Sequence, residues 1–305
     1  MNSFLVELLA GLSTGGIYAL LALGLTLVFQ VSGVVNFAQG ALAASGAYIL
    51  WSLLNQANLP FWIALVMTVC GTFLIGAMLQ VLILQRLERA QAASVIVTLG
   101  LLIVIEGLLG WHWGYQSPTV NGFAQPLSLP LPTGSWSVGG ANVSYLDVAS
   151  IGVAVTLIAL FFAFLRLTKA GTAVLAVAQN AQGARLVGIH VQRVRLIAWG
   201  VGAVIAAAAG VLIPTAKFVP MNPTMVEPYL LNAFAGAVMG GLDSLVGAAI
   251  GALVIGVIQN LVAFYLPSTW SSWGMNKDAV VFIMLLAVLM VRPAGVFGTA
   301  VQRRV

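Results

Sequence analysis

Apolar runs long enough to cross a bilayer recur along this chain, and they leave it few choices of fold. From Phe4 to Phe29 the single charge is Glu7, and from Phe61 to Leu84 and from Leu245 to Leu266 there is none. A helical crossing of the ~30 Å hydrocarbon core takes about 20 such residues. In lipid the backbone must satisfy its own hydrogen bonds, so spanning elements are helices or a closed barrel. Barrel strands are about 10 residues long and alternate apolar with polar. The runs here are longer and do not alternate. Composition agrees, since 61% of the 305 residues are hydrophobic and 6% charged, where a soluble domain carries roughly a quarter charged. The expected fold is all-α: a polytopic helical bundle of eight or nine transmembrane segments, some short or broken.

The segments read as Phe4 to Phe29, Ala41 to Leu54, Phe61 to Leu84, Ser94 to Trp113, Leu146 to Leu165, Leu196 to Pro214, Tyr229 to Gly241, Leu245 to Leu266 and Ala279 to Val291. The second is short and continues from a broken stretch around Asn36. Basic residues mark cytoplasmic loops. Arg86 and Arg89 share one loop, and Arg166, Lys169, Arg185, Arg193 and Arg195 share another. Arg292, Arg303 and Arg304 close the chain, while the stretch from Gly114 to Tyr145 has no Lys or Arg. Alternate crossings put the basic groups on one side, the cytoplasm, and residues 114–145 outside. Nine crossings leave the N-terminus outside and the C-terminus inside; eight require a re-entrant piece. The net charge of +5 is explained by this bias, so no nucleic-acid partner is expected.

The outer segment is rich in Pro, Gly, Ser and Asn, with Trp136 in its middle, and turn chemistry of this kind suits a small hairpin or cap. No tract resembles a soluble domain, and residues 1–305 are read as a single membrane domain. The N-terminus lacks a basic region ahead of its apolar run, so it reads as a retained helix, not a cleaved signal. Cys70 is the one cysteine, which excludes an intrachain disulfide. Glycines at spacing four, Gly11 and Gly15, Gly236 and Gly240, Gly247 and Gly251, suit close helix crossings. A faint internal echo links Asn36-Phe37-Ala38-Gln39-Gly40-Ala41 with Asn232-Ala233-Phe234-Ala235-Gly236-Ala237. Paired interrupted segments of that sort mark substrate paths in transporters.

Enzymatic signals are scarce. His112 and His190 lie in loops assigned to opposite sides, so they form no metal pair. None of Lys169, Lys217 and Lys277 sits in a phosphate-binding Gly-rich loop, so a nucleotide-driven process would need another chain. No catalytic residue, metal site or cofactor is expected. The informative stretch is cytoplasmic, residues 168–195. Gln179 to Val187 is expected to form a short helix, Gly188 to stop it, and Val191 to Arg195 to open a second helix leading into the next span. Such an elbow suits mechanical input from a separate subunit. Intramembrane polar groups cost energy in lipid and face a path or a partner helix: Asn36, Gln39, Asn232, Gln259 and Asn260 are the candidates for a path. Glu106 and Asp243 are the acids weighed for ion coupling. That is too few, and too near the edges, for an ion-coupled secondary transporter, which is the rival of another class.

The segment Ala184-x-x-x-Gly188-Ile189-x-Val191-x-x-Val194-Arg195 resembles the coupling segment of bacterial ABC importer permeases that work with a binding protein. Gly24-Leu25-Thr26-Leu27-Val28-Phe29 leading into Val35-Asn36-Phe37-Ala38-Gln39-Gly40, the triplet Ala178-Gln179-Asn180, and Arg292-Pro293-Ala294-Gly295-Val296-Phe297-Gly298 narrow this to the LivH-type permeases of branched-chain amino-acid transporters. Gln39 departs from that pattern, standing where many relatives have His. The resemblance implies a multi-pass protein of the bacterial cytoplasmic membrane that pairs with a second, LivM-type permease, two cytoplasmic ABC ATPase subunits and an extracytoplasmic solute-binding protein. It also implies that Gln179, Asn180, Ala184, Arg185, Gly188, Ile189, Arg193 and Arg195 belong to the ATPase-coupling elbow. The implied cargo is a branched-chain or other hydrophobic amino acid; urea, short amides or a simple sugar are the alternatives within the superfamily.

Overall fold

The computed structural model describes residues 2–87, 91–120, 123–124, 127, 129–130, 134–138, 141–217, 219–265 and 277–298. Among them are eleven α-helices: α1 (Asn2–Ser32), α2 (Gln39–Asn55), α3 (Phe61–Leu82), α4 (Gln91–Trp113), α5 (Tyr145–Leu167), α6 (Lys169–Gln179), α7 (Ala181–Leu186), α8 (Val191–Lys217), α9 (Glu227–Gly240), α10 (Leu245–Tyr265) and α11 (Lys277–Val291). Six stretches are long and apolar enough to cross a membrane, beginning at Phe4, Phe61, Ala93, Tyr145, Val191 and Leu245. The chain is thus an all-α membrane bundle. Two short antiparallel hairpins, Thr119–Val120 with Phe123–Ala124 and Ser135–Val138 with Ala141–Ser144, occupy the expected outer segment. The second is braced by Trp136, whose ring meets Tyr145 edge-on at 5.5 Å.

Two compact units emerge, and neither is continuous in sequence. The first holds residues 1–26, 131–155 and 229–305; the second holds 27–130 and 156–228. Most of α1 therefore belongs with the closing helices, and α8 with the opening ones. Small residues make this possible. In the second unit, Gly46 of α2 lies against Ala207 of α8, Gly210 of α8 against the Ala43 carbonyl, and Gly76 of α3 against the Trp199 carbonyl. In the first unit, Gly11 and Gly15 of α1 touch the backbone at Val257 and Leu253 of α10, while Gly236 and Gly240 of α9 meet Ala252 and Gly247. The three glycine pairs expected to support close crossings do so. Without a hydrophobic drive between helices in lipid, such backbone-to-backbone packing supplies the cohesion.

In α3 the inward stripe is small and polar: Ala64, Thr68, Thr72, Gly76 and Gln80 are buried at four-residue spacing, the period of one helix face. Trp62, Leu74 and Met78 on the other side are exposed.

The closing Arg-Pro-Ala-Gly-Val-Phe-Gly segment serves as a cap. The N–H groups of Val296 and Phe297 donate to the Met239 and Gly240 carbonyls, at 2.9 and 3.1 Å, and so satisfy acceptors that the end of α9 leaves open. Gly295 and Gly241, both at positive φ, make the approach. A Cβ on Gly295 would stand 2.7 Å from the Gly241 Cα.

Candidate functional site: a polar cluster and a basic elbow

Two groups of sequence-predicted residues are drawn together, one in each unit, and they differ in kind. In the second unit, Asn36 lies in the break between α1 and α2 and Gln39 opens α2. Asn36 Nδ2 donates to Gln39 Oε1 at 3.1 Å, and Gln39 Nε2 donates to the Gly202 carbonyl of α8 at 3.0 Å. Both residues are fully buried. The expected broken stretch is real: the chain leaves α1 through Gly33 at φ +73°, and Thr98 of α4 steadies the break by donating to the Val35 carbonyl at 3.2 Å. α2 begins without a side-chain cap.

In the first unit, Asn232 of α9 and Gln259 of α10 meet two residues that sequence reasoning passed over, Tyr18 of α1 and Asp278 of α11. Tyr18 Oη donates to Gln259 Oε1 at 2.5 Å. Gln259 Nε2 donates to Asp278 Oδ1 at 2.6 Å, and Asn232 Nδ2 donates to the same carboxylate oxygen at 3.2 Å. The Tyr18 ring meets Tyr229 edge-on at 5.8 Å. Asn260 does not join them, because its amide donates back to the Gly256 carbonyl one turn earlier, at 2.9 Å. The echo between Asn36 and Asn232 therefore corresponds to two different environments. Asp278 was detectable as the one acid abutting the last apolar run, but that run was drawn from Ala279. Glu106, buried on α4, hydrogen-bonds Glu227, and Asp243 is exposed in the turn after α9.

The elbow is built from three pieces, not two. Gln179 ends α6 and does not start the short helix. Asn180, extended at φ −158°, breaks the chain, and its Oδ1 accepts from the N–H groups of Gln182 at 3.0 Å and Gly183 at 2.9 Å. An Asn at this position satisfies the open donors of a helix start. Upstream, Thr168 caps α6 by accepting from Gly171 N at 2.9 Å, and Gly171, Val174 and Val177 are buried on one face. α7 ends as expected at Gly188, at φ +85°. Ile189 N donates to the Ala184 carbonyl and Gly188 N to the Arg185 carbonyl, at 2.9 and 3.1 Å, the paired bonds of a glycine-terminated helix.

Ala184 faces inward with Val191 and Val194, while Arg185, Arg193 and His190 are exposed. Arg195 turns back instead, its Nε donating to the Val31 carbonyl at 3.3 Å and so tying the start of α8 to the end of α1. The feature that motif reading missed is the tip itself: Leu186 and Val187 are 90% and 77% exposed. These two exposed aliphatics, beside the exposed Arg185 and His190, form the tip of the elbow.

Replacing Asn180 with alanine removes the α7 cap, and a lost cap of this type costs about 1 kcal/mol. The amides of Gln182 and Gly183 should then exchange with deuterium about 5-fold faster, read by mass spectrometry of peptides from this loop. Unchanged exchange would show that the short helix does not depend on its cap.

Known proteins resemble this chain along most of its length. Residues 7–289 match the family described as branched-chain amino acid transport system / permease component. The high-affinity branched-chain amino acid transport system permease protein LivH of Salmonella typhimurium is 30% identical over 97% of this chain and 96% of its own. Its counterpart BraD of Pseudomonas aeruginosa is 27% identical over 97% and 96%. The autoinducer 2 import system permease protein LsrC of Escherichia coli is 28% identical over 91% of this chain and 76% of its own.

Proposed function

Because the chain belongs to the branched-chain amino acid transport permease family, we propose that it is the translocating subunit of an ABC importer for branched-chain or other hydrophobic amino acids. It works beside a second permease, receives cargo from an extracytoplasmic binding protein, and is driven by two cytoplasmic ATPase subunits. The whole chain acts as one permease domain in the bacterial cytoplasmic membrane. Adding α2, α9 and α11 to the six long helices makes nine crossings, with the C-terminus, the elbow and the loop after α3 on the cytoplasmic side. At 17, 14 and 15 residues these three helices are about 26, 21 and 22 Å long, short of the ~30 Å core. The break before α2 is enclosed, with Val34, Asn36 and Ala38 buried, and this lets that helix cross although it is short.

The observation that carries the reading is the elbow. Residues 180–188 hold their shape by an Asn cap and a Gly stop, and α8 begins three residues further on, at Val191. In this reading Leu186 and Val187 seat in a groove of the ATPase, flanked by Gln179, Arg185 and Arg193, with Ala184, Gly188 and Ile189 setting the angle. Arg195 carries the displacement to the end of α1. A push on the tip therefore reaches two spans at once. Asn36, Gln39, Asn232 and Gln259 are the polar groups met along the path, with Asn260 beside it.

Affinity purification of the chain from its native membrane in mild detergent should retain an ABC ATPase and a second permease. Membrane vesicles containing that assembly should accumulate leucine on addition of ATP and the binding protein. Recovery of the chain as a homo-oligomer that moves leucine down an ion gradient would overturn the proposal.

A further inference from the structure

We propose that Asp278 is the receptor for the α-ammonium group of the passing amino acid, held in place for that task by Gln259, Asn232 and Tyr18. This rests on the amino-acid importer reading above and adds the group that recognises the cargo. The hydrogen bonds of the cluster run in one direction. Tyr18 gives its proton to the Gln259 carbonyl oxygen, and the Gln259 and Asn232 amides give theirs to Asp278 Oδ1. Asn232 also reaches the Tyr18 hydroxyl, at 3.3 Å. The amides of two nearly fully buried side chains thus converge on one carboxylate, and Tyr18 holds one of them in place. Tyr18, Asn232 and Gln259 are each at most 3% exposed, while Asp278 is half-buried.

Position reinforces the chemistry. Asp278 lies in the first turn of α11, where the positive end of the helix dipole favours a carboxylate. Arg292, beyond the far end of the same helix, is about 21 Å away along the axis. With Oδ1 committed to two amides, Oδ2 is the oxygen left for an incoming donor. A bare metal cation is a poor match, since hard cations take about six oxygens and the Gln259 and Tyr18 oxygens are already engaged. An ammonium needs one acceptor and brings its own protons. A solute carboxylate would be repelled. On the orientation proposed above, the start of α11 and the end of α10 lie toward the outside, where cargo arrives.

Uptake of labelled leucine by vesicles carrying the complete importer tests this, with assembly followed by co-purification of the ATPase. Asp278→Asn should lower the uptake rate at least 10-fold with assembly intact, and Asp278→Glu should restore about a third of it. Full uptake by an assembled Asp278→Asn importer would overturn the assignment while leaving the importer reading standing. Absence of leucine uptake by the unaltered importer would remove that reading and this one together. Lys277→Gln should leave uptake within 2-fold; a loss equal to that of Asp278→Asn would make the carboxylate the lysine's partner instead of the solute's. If Asp278→Asn fails to assemble, competition on the unaltered importer decides, after correction for any competitor bound by the isolated binding protein. Isoamylamine, which keeps the ammonium, should slow leucine uptake, whereas 4-methylpentanoate, which lacks it, should not. The reverse order would overturn the proposal.

Discussion

Gly210→Ala is expected to lower the thermal midpoint of the purified protein by roughly 8 °C, whereas Gly100→Ala leaves it unchanged or slightly raises it. The two substitutions add the same methyl group to helix interiors, and they differ in what it meets. At Gly210 the new Cβ would stand 1.9 Å from the Ala43 carbonyl oxygen and 2.4 Å from its carbon. These are backbone atoms of α2 that cannot rotate aside, so α8 and α2 must move apart. Overpacking of a closed contact costs about 3 kcal/mol, and for a protein of this size each kcal/mol is worth roughly 2–4 °C. Separation would also stretch the bond from Gln39 to the Gly202 carbonyl, two turns away on α8. At Gly100 nothing lies within 4 Å of the added methyl, and replacing glycine by alanine in an open helix stabilises by about 0.5–1 kcal/mol. Thermal aggregation in one detergent, measured side by side, checks the pair; equal midpoints would show that the α2–α8 crossing is looser than described.

Gly188→Val should cut ATP-driven uptake at least 10-fold while the protein still inserts and still binds its ATPase. The methyls would strike nothing, because no heavy atom lies within 4 Å of a Cβ at that position. The damage is confined to the backbone. At φ +85° an L-residue is strained by roughly 1–2 kcal/mol, and a β-branched residue is a severe misfit in that region. Relief requires leaving the left-handed conformation, which breaks the bond from Ile189 to the Ala184 carbonyl and swings α7 relative to α8. The Leu186–Val187 tip would then meet the ATPase at the wrong angle. Hydrolysis should persist with little transport, so the readout is the ratio of solute moved to ATP consumed. Asparagine tolerates positive φ better than other non-glycine residues, so Gly188→Asn should lie between the unaltered protein and Gly188→Val. Uptake by Gly188→Val equal to that of the unaltered protein would remove the elbow from the coupling route.

The elbow was largely legible because its signals are local. Asn180 and Gly188 act on backbone groups within a few residues of themselves, and their spacing carries the geometry. What escaped was the division of labour on either side: the run from Lys169 to Gln179 makes its own capped helix, and Arg195 also reaches back to the end of α1. The polar candidates were harder to place for the opposite reason. Asn232 and Gln259 meet across two helices, whereas Asn260, next along the same helix, bonds to its own backbone. One step of about 100° around a helix separates those fates. Tyr18 and Asp278 were overlooked because each looks ordinary alone, one an aromatic inside an apolar run and the other an acid at its margin.

Length, hydropathy and charge bias along the chain determined by themselves that this protein is a helical bundle in a membrane, and the patterns of Gly and Asn determined where its helices stop and where they approach closely. Only the tertiary structure decided which helices are neighbours, with α1 packed against α10 and α8 against α2 and α3. It alone decided which polar side chains share a cluster. The physical reason is the solvent. In water the apolar face of a helix announces the core, but in lipid both faces are apolar. In α3 the inward stripe of Ala64, Thr68, Thr72, Gly76 and Gln80 is the less hydrophobic one, and a chain read one segment at a time carries no mark of what lies across from it.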